Sequence, residues 1–322
     1  MPPWLPLLLP PLLALGVAYA LDRWLGEPPV RWHPVAWMGR YLGAMGGLIG
    51  PRSEQPSPNW PAFAAGALAW YGGAMGLVLL AWSVQWWLLQ QHPLLAGLLL
   101  GVLLKPMLAW RMLRGEVAAV ESALAQSLDA GRRRLGRIVS REVMQLDEAQ
   151  VRESALESLA ENFNDSVVAP VFWFVLAGLP GAVLYRFANT ADAMWGYRGW
   201  RAGQHWEWAG KWAARADDVL SWLPARLSAL FVALAAGGLP PGALWREAGR
   251  TASPNSGWPM AALALALGAR LRKPGVYAIN GDAPSPQPGD TPRAIRLLGI
   301  ALFLLGAWAL LTLAALQWGR LP

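Results

Sequence analysis

Glu153, Glu157 and Glu161 recur every four residues and Asp165 continues the series, so a helix through this stretch aligns its carboxylates in one row. Further polar clusters follow: Asn189-Thr190-Ala191-Asp192, Gly196-Tyr197-Arg198, Lys211 and Arg215 one helical turn apart, and the pair Asp217-Asp218. Carboxylates bring a magnesium ion, arginine and lysine bring phosphate, and amides orient a carbonyl. Together these are the parts for chemistry on a nucleotide or a phosphorylated substrate. Neither a Walker A loop nor a G-x-G-x-x-G run occurs, which excludes the P-loop and Rossmann readings. Cysteine is absent, so thiolate catalysis and thiol-held zinc or iron–sulfur clusters are excluded too. His33, His92 and His205 are far apart in sequence, so a divalent ion would rest on oxygen, which favours magnesium over zinc.

The elements that must position these residues are helical. Asp147 with Gln150 three residues on forms a capping box at the start of one helix. On that helix Val151, Ala155, Leu156, Leu159 and Phe163 fall within an arc of about 140°, with the glutamate row on the other side. The row is either a solvated acidic face or the wall of a site. Asn162 falls inside the apolar arc, where a buried amide must find partners. Upstream, the spacing of Val117, Val120, Leu124 and Leu128 predicts a helix ending at Gly131. Asp217-Asp218 would serve equally as a helix N-cap before Val219.

The rest of the chain belongs to a membrane. Apolar residues make up 55% of its 322 residues and charged ones only 15%, against about 25% charged in ordinary soluble domains. A net charge of +7 with no RRM, zinc-finger or helix-turn-helix pattern speaks against nucleic acid and for basic cytoplasmic loops beside anionic lipid. The fold class read from this is all-α: a polytopic helical integral membrane protein with a cytoplasmic helical insertion. Spans are expected at Trp4 to Leu21, uncleaved because no Lys or Arg precedes it, at Pro61 to Leu89, at Pro93 to Leu113, and at Ile295 to Trp318. Arginines at 23, 31, 40 and 52, and again from 111 to 141, place both flanking stretches inside. The run Val167 to Tyr185 is broken at Ala177-Gly178-Leu179-Pro180-Gly181. Charge bias makes 167–187 a re-entrant or interfacial hairpin, followed by an apolar run from Val219 to Leu239. The organisation expected is 1–113 N-terminal spans with a cytoplasmic loop 22–60, 114–166 a cytoplasmic helical unit, 167–239 membrane helices carrying site motifs, 240–293 a Pro/Gly-rich segment with an exposed extended loop at 283–288, and 294–322 the last span.

Six blocks in order resemble the adenosylcobinamide-phosphate synthases of cobalamin biosynthesis, called CobD or CbiB. They are Asp22-Arg23-Trp24-Leu25-Gly26-Glu27-Pro28-Pro29 with His33-Pro34-Val35 and Met38-Gly39; Glu157-Ser158-Leu159-Ala160-Glu161-Asn162 with Asp165 and Ala169-Pro170; Asn189-Thr190-Ala191-Asp192 with Gly196-Tyr197; Ala214-Arg215-Ala216-Asp217-Asp218 with Pro224-Ala225-Arg226; Ser253-Pro254-Asn255-Ser256-Gly257-Trp258-Pro259; and the isolated Lys105. Ser166 stands where many members have Gly, and Met260 where some have Glu. The resemblance implies a bacterial inner-membrane protein with its active site on the cytoplasmic side. It also implies an ATP-dependent amide ligation of adenosylcobyric acid with 1-amino-2-propanol or its O-phosphate. ATP and magnesium would be the cofactors, with membrane lipid and other late cobalamin-pathway membrane enzymes as further partners.

Roles follow from that chemistry. ATP would convert the unreactive propionate to an acyl phosphate, which needs metal and cations around the transferred phosphate. Glu157, Glu161, Asp165 and Asp192 are the magnesium candidates, with Asp217 and Asp218 next. Glu157, Glu161, Asn162, Asp192 and His33 are the catalytic candidates, His33 as the base for the amine. Lys105, Asn189, Tyr197, Lys211, Arg215, Arg226 and Asn255 are the candidates for binding ATP or substrate. Lys105, after an uncharged stretch, is either functional or a lysine snorkelling to the headgroups. Trp195, Trp200, Trp206, Trp208 and Trp212 offer either flat surface for a corrin ring or an interfacial belt. The competing classes are a magnesium-dependent membrane transferase on a diphosphate-linked lipid, whose paired D-x-x-x-D motifs fit poorly here, and a transporter.

Overall fold

The computed structural model describes residues 5–54 and 57–318. Thirteen α-helices and two short hairpins are placed among them: α1 Leu5–Trp24, α2 Pro34–Ile49, α3 Trp60–Leu89, α4 Pro93–Leu104, α5 Trp110–Leu124, α6 Leu128–Leu135, α7 Glu148–Phe163, α8 Ala169–Trp195, β1 Trp200–Arg201, β2 Gln204–His205, α9 Trp206–Ala209, α10 Lys211–Ala235, α11 Pro241–Ala248, α12 Gly257–Leu267, β3 Leu271–Lys273, β4 Tyr277–Ile279 and α13 Asp290–Trp318. Five helical runs are long and apolar enough to cross a membrane, Trp60–Leu89, Pro93–Leu124, Glu148–Trp195, Lys211–Ala235 and Asp290–Leu316. The protein is a helical membrane protein, as its composition requires. The expected first span falls on the helix α1, which is not among these five runs, and its start at Trp4 lies outside the described residues.

The chain gathers into two units that are each discontinuous in sequence, one made of 1–109, 169–220 and 309–322, the other of 110–168 and 221–308. In the first, α1 packs along α4, and α3 packs against α8. Within α8 the backbone leaves helical geometry at Gly178, with φ 66° and ψ −156°, a conformation open to glycine and costly for other residues. A Cβ at Gly181 would strike the carbonyl of Trp173. Eight residues of continuous helix rise about 12 Å, so this approach requires the chain to double back. The result is a helical hairpin with its elbow at Gly178, as the sequence break predicts. Pro180 falls in the first turn of the second arm, where its missing N–H costs nothing. The amide of Leu179 donates to Gln85 Oε1 at 2.7 Å. Leu179 thus meets the far end of α3, whereas Phe187 meets Trp70 nearer its start, ring centroids 5.8 Å apart. The second arm therefore runs antiparallel to α3 and returns to the end where α3 begins.

In the second unit α5 packs on α6 and α7, while α12 and β3 also pack on α7. The Asp147–Gln150 capping box forms as expected. The helix predicted to run to Gly131 stops earlier, at Leu124. Ser127 caps a new helix, α6, by accepting from the Ala130 amide, and Gly131 lies inside that helix. The apolar spacing continued through the break because α6 buries the same side. The loop 283–288 is not free either. Arg270 N–H donates to the Pro284 carbonyl at 2.8 Å, and Pro286 is buried with its carbonyl accepting from Arg152 at 3.4 Å. The Pro/Gly-rich segment 240–293 forms α11, α12 and the β3–β4 hairpin.

Candidate active site

In the second unit nearly every side chain of α7 from Val151 to Ala160 is buried, Glu153 and Glu157 included, so the glutamate row is not a solvated face. Each buried carboxylate has a cation. Glu153 takes Arg270 at 3.2 Å and Arg272 at 3.4 Å, and Glu157 Oε2 accepts from both Nη atoms of Arg141 at 3.2 Å. Arg141 also reaches Ser154 Oγ at 3.3 Å. Breaking a buried pair of this kind leaves an uncompensated charge, which fixes the hairpin and the Arg141 segment against α7. Oε1 of Glu157 is buried without a hydrogen bond, and the phenol of Tyr277 faces this carboxylate. Burial, with the charges of Glu157 and Glu161, raises the Tyr277 pKa, so the hydroxyl stays a donor. Glu161, one turn further, is exposed.

Beyond Phe163 the helix passes through a π-turn at Asn164–Val168, a feature frequent at functional sites. Its ordering is visible in a chain of bonds. Ser228 Oγ donates to Asn164 Oδ1 at 3.0 Å, and Asn164 Nδ2 donates to Asp165 Oδ1 at 2.9 Å. Asn162 finds its partners within α7, donating to the Ser158 carbonyl at 2.9 Å. Arg226 and Asn255 are brought together, Nη1 to Oδ1 at 2.8 Å, with the guanidinium against the rings of Trp222 and Trp258.

The first unit holds two polar sets. In one, Lys105 is buried and pairs with Asp22 at 3.1 Å and Glu27 at 2.8 Å while donating to the Leu108 carbonyl at 2.9 Å. It does not snorkel. Burial alone would raise the pKa of Glu27, but the hydrogen bonds and charges of His33 and Lys105 outweigh it and hold the carboxyl below its ordinary range. Both nitrogens of His33 are engaged: Nδ1 accepts from the Val35 amide at 3.2 Å, capping α2, and Nε2 lies 3.1 Å from Glu27. His33 thus caps α2 through one ring nitrogen and meets Glu27 through the other.

In the other set, Arg186, Asn189 and Asp192 are spaced three apart on the second arm of α8 and share a face. Asn189 Oδ1 lies 3.5 Å from Arg186, and its Nδ2 lies 3.5 Å from Asp217 Oδ1. Asp192 lies against Gly196, where a Cβ would strike its carboxylate. Asp218 is flanked by Arg215 and Arg198. Asp217 and Asp218 lie inside α10, beyond its first turn, so they are not caps. Lys211 pairs with Glu207 at 3.4 Å and covers the Trp208 ring at 3.8 Å, and Arg201 covers Tyr197 at 4.6 Å. Of the five tryptophans, Trp195 and Trp206 are buried and stacked at 6.0 Å, Trp208 meets Trp60, Trp212 meets Trp70, and Trp200 is exposed.

The six metal candidates divide between the units, Glu157, Glu161 and Asp165 in one and Asp192, Asp217 and Asp218 in the other. Among the described residues no group of three or more His, Asp or Glu is gathered to hold a metal ion. Magnesium tolerates this, since it keeps several waters and takes one or two carboxylates beside phosphate oxygens. The all-oxygen donors of the second set, flanked by guanidinium groups, fit such an ion.

The family model described as CobD/Cbib protein matches residues 15–301. The chain belongs to the CobD/CbiB family. Relatives include the cobalamin biosynthesis protein CobD of Chromobacterium violaceum, 41% identical over 94% of this chain and 96% of that protein. The probable cobalamin biosynthesis protein CobD of Thermococcus kodakarensis is 39% identical over 98% of each, and that of Rhodobacter capsulatus 37% over 94% and 96%. No solved structure matches the chain. The sequence alone assigns no site role in this CobD/CbiB chain to Arg141, Lys273, Tyr277 or Arg186. Arg141 had been read only as a charge that sets topology. Lys273 and Tyr277 flank a Pro-Gly turn that signals a hairpin, but nothing local says which face meets α7.

Proposed function

We propose that this protein acts in cobalamin biosynthesis as an ATP-dependent acid–amine ligase, joining the propionate of adenosylcobyric acid to 1-amino-2-propanol or its O-phosphate. The name printed for its relatives supports the pathway. The observation that carries the chemistry is the α7 carboxylate row, in which Glu157 is clamped by Arg141 and Glu161 is left accessible. A propionate oxygen attacks the γ-phosphorus of ATP, the bond to ADP breaks, and an acyl phosphate forms. The amine nitrogen then attacks the acyl carbon, phosphate leaves, and the nitrogen gives up its proton to Glu161. Magnesium, when bound, supplies neutralisation of the phosphate charge. The protein sits in the cytoplasmic membrane with these residues on the cytoplasmic side, where ATP is found.

The test is purified protein in detergent with ATP, adenosylcobyric acid and either amine, the product identified by mass. ADP release sustained over many turnovers that requires both acid and amine supports the reading. No amide product with either amine overturns it, and AMP with diphosphate replaces the acyl phosphate by an adenylate.

A further inference from the structure

The β3–β4 register pairs Leu271 with Ile279 and Lys273 with Tyr277. Directly opposed residues share a face, and alternate positions along a strand return to it. Leu271 and Ile279 are fully buried, so Lys273 and Tyr277 stand on the inward side of the hairpin, whose strand β3 packs on α7. The neighbouring cations are committed. Arg270 and Arg272 go to Glu153, and Arg141 goes to Glu157. Among the described residues Lys273 has no ion pair within 4.0 Å, although its charge reaches Glu157 and Glu161. Glu161, exposed, likewise has no ion pair among the described residues. One ammonium and one accessible carboxylate therefore act on each other without pairing, beside the buried Oε1 of the Glu157 carboxylate that the Tyr277 phenol faces.

We propose that Lys273 holds the phosphate of a small phosphorylated amine while Glu161 receives its ammonium, so that Lys273 makes the site prefer the phosphorylated over the free amino alcohol. The assignment rests on the ligation reading above and moves the amine's phosphate from Lys211, which Glu207 and Trp208 occupy, to the hairpin. Charge decides between ligands. A phosphomonoester carries about −2 at neutral pH and its amine +1, opposite in sign to the lysine at one end and to the glutamate at the other. A triphosphate would meet the carboxylates of α7 with a single uncommitted lysine to oppose them, which like-charge repulsion disfavours. Lysine binds phosphate as a point charge, so arginine at this position should serve in part.

The experiment is equilibrium binding of 1-amino-2-propanol O-phosphate to the full-length protein in detergent, needing neither ATP nor turnover. Lys273→Met should weaken this binding at least tenfold, Lys273→Arg should restore part of it, and binding of the free amino alcohol should change less than twofold. Unchanged binding of the phosphorylated amine by Lys273→Met, an equal loss for both amines, or no binding by the wild type overturns the proposal. Thermal unfolding of the Met variant within a few degrees of wild type separates binding from folding. In the ligation assay, a rise in the KM for ATP in place of the KM for the amine would also overturn it. Failure of the ligation reading is seen separately, as wild-type protein that binds the phosphorylated amine yet forms no amide.

Discussion

Lys105 Nζ lies 2.8 Å from Glu27 Oε1, a contact that closes 78 residues of sequence inside an apolar helical unit. With Asp22 also on the ammonium, removal of the lysine strips two carboxylates of the cation they share. Lys105→Met should therefore cost about 3–5 kcal/mol, read as a lowered midpoint in thermal or detergent denaturation. A loss below about 1 kcal/mol, the range of surface pairs, would show the pair to be solvated.

Acid should reveal the same contact. Glu27 is held below its ordinary 4.5, so its contribution is complete above that value and fades as pH falls through the lower folded pKa. Wild-type stability should decline on acidification below about 4.5, and Glu27→Gln should flatten that decline while lowering stability at neutral pH. An identical acid limb in the two proteins would assign the decline to other groups.

Glu161→Gln and Asp192→Asn should each lower turnover at least a hundredfold with folding retained, because each removes a charge without changing shape. Near-normal turnover at limiting magnesium would take that residue out of the site.

The antiparallel return of the second arm of α8 along α3 brings the segment after Trp195 back to the end of α3 reached from the arginine-bearing loop 22–60. A cysteine in that segment should resist an impermeant reagent in intact cells. Gly199 has φ +85°, whereas Ala202 is exposed and already carries a side chain at φ 50°. Ala202→Cys in this cysteine-free protein is the better probe, and labelling from outside would overturn the hairpin's topology.

If activation precedes amine attack, ATP and adenosylcobyric acid without amine should yield an acyl phosphate that hydroxylamine converts to a hydroxamate. Absence of hydroxamate in an enzyme that forms amide would make the two steps concerted.

What was legible in the sequence was local. Asp147 and Gln150 cap α7 because a capping box needs only three residues' separation, and Gly178-Leu179-Pro180-Gly181 breaks α8 because glycine and proline act on their own backbone. The glutamate row was visible as a row, but a helical wheel shows which residues share a side and not what covers it. Its burial depends on Arg141 from the segment that leads into α7 and on Arg270 and Arg272, which come from more than a hundred residues away. For the same reason Lys105 looked solitary until Asp22 and Glu27 were placed beside it. The expected end at Gly131 failed because apolar spacing persists across a turn when two helices bury the same side.

The Gln85 side chain that receives the Leu179 amide also sets an order of assembly. A buried amide left unmatched costs about 1–3 kcal/mol, and the partner that matches this one comes from α3, 94 residues earlier. The hairpin is thus not an autonomous insertion unit; it closes on a helix that the ribosome has already delivered. Synthesis from the N-terminus supplies the two pieces in the required sequence, and a circular permutant that placed α8 before α3 would leave the elbow waiting for its acceptor.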